Sequence, residues 1–78
     1  MLLDADLAVL GASGSVYQEY ADNIRREYAW VADKEYRIGR RQVLTKLLAK
    51  SKIFDLLNHL EEPARRNIVA EIARLAKV

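Results

Sequence analysis

Backbone punctuation is nearly missing from this sequence: three glycines, at 11, 14 and 39, and one proline, at 63, serve 78 residues. Strands joined by tight turns need such residues at their corners, so a chain this poor in them and rich in Leu, Ala, Arg and Glu predicts helices throughout. A chain of this length buries only about 60% of its unfolded surface, which allows one domain over residues 1–78 and no second. Cysteine is absent. Neither a disulfide nor a thiolate metal site can reinforce so small a core, which must rely on helix packing or on a partner.

The apolar spacing divides the chain into a compact all-α array of four to five short helices. Leu2 to Leu10 reads as the last turns of a helix closed by Gly11. No cap precedes it, which predicts a helix extending further back than Met1. Ser13 or Ser15 can cap the next helix, expected over 15–31, where Tyr17, Tyr20, Ala21, Ile24, Tyr28 and Val31 recur at three- and four-residue steps. Asp33 is expected to cap a third, with Tyr36, Val43, Leu44, Leu47 and Leu48 inward and Lys34, Arg37, Arg41 and Lys46 outward. Gly39 sits inside it at a cost of about 1 kcal/mol relative to Ala, explicable if another helix or Trp30 presses on its backbone.

Ser51 to Leu60 packs Ile53, Phe54, Leu56, Leu57 and Leu60 into a stretch too dense for a surface helix, so a docking turn or short helix is expected. Pro63 suits the first turn of a last helix over 62–77. Glu61 and Glu62 complement its positive end, and Ala64, Ile68, Ile72, Leu75 and Ala76 form its inner stripe. Arg25, Arg26, Arg65 and Arg66 are read as outer residues that Asp22, Glu27 and Glu71 can pair with, each such surface pair contributing about 0–1 kcal/mol.

Charge excludes little, because the net value is +2. The cluster Lys34, Arg37, Arg40, Arg41, Lys46, Lys50 and Lys52 carries no aromatic platform for bases, so it reads as a solvated face rather than a nucleic-acid site. The longest uncharged apolar stretch, Leu7 to Val16, is broken by Gly11 and Gly14 and is far shorter than the roughly 20 residues of a membrane span. Asp4 and Asp6 stand where a secretory signal carries Lys or Arg. A cytoplasmic protein is the expectation.

Few residues can carry chemistry. His59 has no second histidine to form a metal pair or a dyad, and a packing or capping role is expected for it. Asp4 and Asp6 lie two residues apart, about 200° around a helix, so at most one of them aims into a site. Nucleotide-binding glycine loops, the Gly-x-Ser-x-Gly elbow and the His-Glu-x-x-His motif are missing from the sequence.

Leu3-Asp4-Ala5-Asp6-Leu7-Ala8-Val9-Leu10-Gly11 resembles the segment that carries the last metal-ligand aspartate in predicted metal-dependent phosphohydrolases of the HD-domain superfamily. Tyr17, Tyr20-Ala21, Ile24-Arg25, Glu27-Tyr28, Gly39-Arg40, Val43-Leu44, Ile53-Phe54, Ala64-Arg65, Asn67-Ile68 and Glu71-Ile72 are similar to the C-terminal helices that follow it in one branch. The resemblance spans essentially the whole chain. It implies an all-helical scaffold on which a histidine, a later His-Asp pair and a final aspartate hold a divalent metal ion. By it, Asp6 is the final metal ligand and Asp4 a supporting group beside the ligand.

The chain departs from that pattern as well. No histidine precedes Asp6 and no His-Asp pair occurs, while His59 is followed by Leu60. One carboxylate cannot hold a catalytic divalent metal, so the 78 residues alone are expected to lack hydrolase activity. The expectation is a C-terminal portion of a larger phosphohydrolase acting on a phosphate ester or nucleotide, partnered by the missing N-terminal part. The alternative is a free-standing helical module whose apolar surface around Leu2, Leu7, Ile53, Phe54 and Leu57 is covered by a second copy.

Overall fold

The computed structural model describes residues 8–76. They form a 3₁₀ turn, Ala8–Gly11, then α1, Gly14–Glu27, then α2, Asp33–Ala49, a second 3₁₀ turn, Asn58–Leu60, and α3, Glu61–Ala76. No strand occurs among the described residues. The described residues thus hold three α-helices and two single turns, where four to five short helices are expected of the whole chain. Residues 8–11 close as a 3₁₀ turn; the rest of the first expected helix lies outside the described residues.

α3 is the hub. The first turn, α2 and the second turn all pack on it, whereas α1 and α2 approach each other closely at almost no point of their backbones. Leu10, Tyr17, Ala21, Leu44, Ile53, Phe54, Ala64 and Ile68 make the buried core, with Leu47, Leu48, Leu57, Leu60, Ile72 and Leu75 packed around it. Phe54, Leu44, Ala64 and Ile68 are fully buried. Each enclosed Leu, Ile or Phe side chain contributes about 1.5–3 kcal/mol by leaving water. Ile53 and Phe54, which the alternative reading leaves for a second copy to cover, are buried within this chain's own core.

Polar side chains from the helices replace the missing turn residues. Arg65 donates to the carbonyls of Leu48, Lys50 and Ser51, closing the C-terminal end of α2 with a positive charge where the helix dipole favours one. Glu61, four residues earlier and 2.8 Å from Arg65, accepts the N–H groups of Ile53 and Phe54. One turn of α3 thereby clasps the first half of the loop, which has neither proline nor glycine to shape it. Burial alone would raise the Glu61 carboxyl, but those two N–H groups and the Arg65 guanidinium together outweigh it and hold it below its ordinary range.

α1 stops at Glu27, four residues before its expected end, and Tyr28–Trp30 form a turn. Arg25 holds that turn by donating to the carbonyls of Tyr28 and Val31. Ser13 occupies the N-cap position, although its side chain caps nothing. Ala32, not Asp33, is the N-cap of α2, and Asp33 instead pairs with Arg37 one turn on, at 2.7 Å. Trp30 is 80% exposed and presses on nothing at Gly39, where a Cβ would meet no atom within 4 Å. Val43, expected inside, is exposed, as is Ala76, because α2 and α3 bury only narrow stripes. Pro63 takes the third position of α3, within the first turn, where its missing N–H has no helical partner to lose.

Candidate functional site

Asp4 and Asp6 lie outside the described residues. What the structure does describe is the platform immediately after them. The turn Ala8–Gly11 is seated on α3 with Leu10 in the core. Asn67, one turn into the buried stretch of α3, donates both hydrogens of its amide, to the carbonyls of Leu10 at 2.9 Å and Ala12 at 2.8 Å. Those carbonyls end a 3₁₀ turn and have no helical partner of their own, so the amide removes an unmet bonding requirement at a half-buried site. Gly11 completes the seat: a Cβ there would stand 2.8 Å from the Leu60 Cβ, so only glycine lets the two turns touch.

The second feature was missed at the level of sequence, where Glu71 was read as an outer residue able to pair with surface arginines. It is 4% exposed. Its two oxygens take three donors: the Tyr17 hydroxyl at 2.5 Å, Arg40 Nε at 2.8 Å and Arg40 Nη2 at 3.1 Å. α1, α2 and α3 each supply one member. Arg40 also lies over the Tyr20 ring, 5.6 Å from its centroid, and Tyr20 tilts against Tyr17 at the same separation. Among the described residues, no buried side-chain polar atom is left without a partner.

Chemically this triad is inert. Burial, followed by the hydrogen bond to Glu71 and the Glu71 charge, pushes the Tyr17 hydroxyl well above its usual value, so it stays protonated and serves as a donor. Burial opposes the charge on Arg40, but its bonds to Glu71 more than compensate and raise it further. No member is left to act as a base or nucleophile at neutral pH. The signal that could have found it is phase: Glu71 is three residues after Ile68 and Arg40 four before Leu44, each in register with an apolar stripe.

A polar cleft of about 250 Å³ opens beside the triad, lined by Gln18, Asp22, Arg25, Asp33, Arg37 and Arg74. Arg25 and Arg37 are spent on backbone carbonyls and on Asp33, and Arg25 stacks 4.5 Å from the Tyr36 centroid. The basic cluster of the sequence is likewise dispersed, since Arg37 and Arg40 turn to other elements while Lys34, Arg41, Lys46, Lys50 and Lys52 remain exposed. His59 is exposed on the second turn, so it packs into no core. Among the described residues, no three His, Asp or Glu side chains converge as metal ligands would, and these residues by themselves do not fit a divalent ion.

No helix among the described residues is long and apolar enough to cross a membrane. The chain matches no protein-family model, no curated protein and no solved structure. What fold and site define together, over the described residues, is an all-helical unit in which α3 seats both turns and α2 and holds α1 through the Tyr17–Glu71 bond.

Proposed function

We propose that this chain is the aspartate-bearing C-terminal portion of a metal-dependent phosphohydrolase of the HD type, contributing Asp6 as one ligand while the histidine and His-Asp ligands come from polypeptide outside these 78 residues. The observation that carries the reading is the anchoring of Ala8–Gly11. Leu10 is buried, Asn67 bonds two of the carbonyls around it, and Leu60 meets Gly11 in close contact. Asp6 precedes Ala8 by two residues, a tether of at most about 7 Å. A metal ligand has to be held by its surroundings, and this turn is backbone secured by burial and by two side-chain hydrogen bonds.

Supporting this, Tyr17, Arg40 and Glu71 are committed to one another in a closed, buried network, which gives these three a structural role rather than a chemical one. The substrate class is a phosphate ester, and the isolated chain is inactive. The coding sequence on the 5′ side of the Met1 codon tests this. In-frame codons for a histidine and a later adjacent His-Asp pair on helical spacing are expected; an in-frame stop immediately upstream, with no separate polypeptide supplying those ligands, overturns the reading.

A further inference from the structure

α1 and α2 diverge from their shared turn, leaving a cleft of about 530 Å³ between them. Its walls are Ile24, Tyr28, Val31, Tyr36 and Val43, with Gly39 among them. Tyr28 is 46% and Val43 52% exposed, and Trp30, 80% exposed, has its ring 6.1 Å from that of Tyr28. Three features of this cleft remain without an account in the fold. Gly39 weakens α2 by about 1 kcal/mol relative to Ala and relieves no contact, since the space above it is empty. Glu27 places a negative charge on the last residue of α1, the end where a helix dipole disfavours one. Glu27 and Glu35, both on the cleft, have no ion-pair or hydrogen-bond partner among the described residues, while Arg40 beside them is committed to Glu71.

We infer that this cleft is a docking groove for an amphipathic helix of another protein, one whose apolar stripe is flanked by Lys or Arg. A helix is the element that fits an apolar trough between two splayed helices, and it is read through anchors one face apart. The missing Cβ of Gly39 lets the incoming helix approach the α2 backbone closely. Glu27 and Glu35 receive the basic flanks, which gives a partner to two carboxylates that no cation pairs with among the described residues. A second copy of the chain fits less well. Its exposed apolar helical surfaces with basic neighbours, around Ile38 and Arg41 on α2 and around Val69 and Arg66 on α3, are not walls of the groove, so seating either there would be a head-to-tail contact without the two-fold symmetry that most dimers have.

The test is selection from a displayed library of helical peptides against the full chain, read by the emission of Trp30, the sole tryptophan. The expected winners carry large apolar residues at i, i+4 and i+7 flanked by Lys or Arg, and shift Trp30 emission to the blue. Their affinity falls about tenfold in a Glu27→Lys, Glu35→Lys double variant and by at least as much in Gly39→Leu, whose circular dichroism stays helical. The inference is overturned if no peptide is selected, if the winners show no basic enrichment, or if the charge-reversed variant binds them equally. Sedimentation of the chain alone as a dimer that Val43→Glu dissociates would overturn it in favour of a second copy.

Discussion

Replacing Arg40 with Met removes one partner of an ion pair whose side chains are only 10% and 5% exposed. Met keeps most of the apolar stem of Arg, so packing changes little and the electrostatic consequence dominates. Glu71 then remains buried with the Tyr17 hydroxyl as its one described donor. Breaking a buried pair in this way costs about 3–5 kcal/mol, because an uncompensated charge stays behind. Against that, a chain of this length has about 4–12 kcal/mol in total, at roughly 0.05–0.15 kcal/mol per residue. Arg40→Met therefore removes much or all of the stability. Adding Glu71→Leu removes the orphaned charge too, and a well-packed apolar replacement of a buried pair is neutral or stabilising by about 1–4 kcal/mol. The double variant is accordingly more stable than Arg40→Met alone. Urea unfolding followed by far-ultraviolet circular dichroism measures all four corners of the cycle, and recovery of helical signal serves as the readout if the single variant is unfolded. Additive effects, or a cost below about 1 kcal/mol for Arg40→Met, the scale of exposed pairs, would refute the description of this pair as a buried staple between α2 and α3.

Gly11 and Gly39 separate cleanly: Gly11→Ala drives a Cβ into Leu60 and costs about 1–3 kcal/mol, whereas Gly39→Ala stabilises by about 1 kcal/mol, and thermal melting that ranks them the other way contradicts the packing. Asn67→Ala leaves the Leu10 and Ala12 carbonyls unmet and costs about 1–3 kcal/mol, with faster amide exchange around Ala8–Ala12 than elsewhere; uniform exchange would deny the anchoring. The raised Tyr17 and Tyr36 give stability that is complete below the unfolded tyrosine value of about 10 and falls as pH rises beyond it, and a melting temperature level across that range would contradict their burial. The lowered Glu61 works in the opposite sense: its contribution is present above the unfolded glutamate value of about 4.3 and is lost as pH falls through the lower folded value, so Glu61→Gln flattens the acid limb of the profile.

Helical character was fully legible, since glycine and proline scarcity together with the stripes through Tyr17, Leu44 and Ile68 leave a chain little else to form. Boundaries were less so. α1 ends at Glu27, where Arg25 reaches forward to the Tyr28 and Val31 carbonyls, a side-chain-to-backbone device that apolar periodicity does not register. The segment at Ile53 and Phe54 reads as a docking turn from density of apolar residues alone, but the bracket that shapes it comes from Glu61 and Arg65, where sequence shows only a charged pair at helical spacing. The triad was invisible for a related reason: hydropathy counts Glu71 and Arg40 as surface, and only their phase on two helices betrays that they face each other. Val43 and Gly39 went the other way. Their spacing says core, and the divergence of α1 and α2, which no single helix encodes, leaves them on an open cleft.

The metal content of the native polypeptide that carries this sequence, purified from its own cells with and without Asp6→Ala, bears most directly on the central claim. The account predicts a bound divalent ion and phosphate-ester hydrolysis in the unaltered protein, both lost with Asp6→Ala while the helical signal is unchanged. Retention of metal and hydrolysis after that substitution would contradict it.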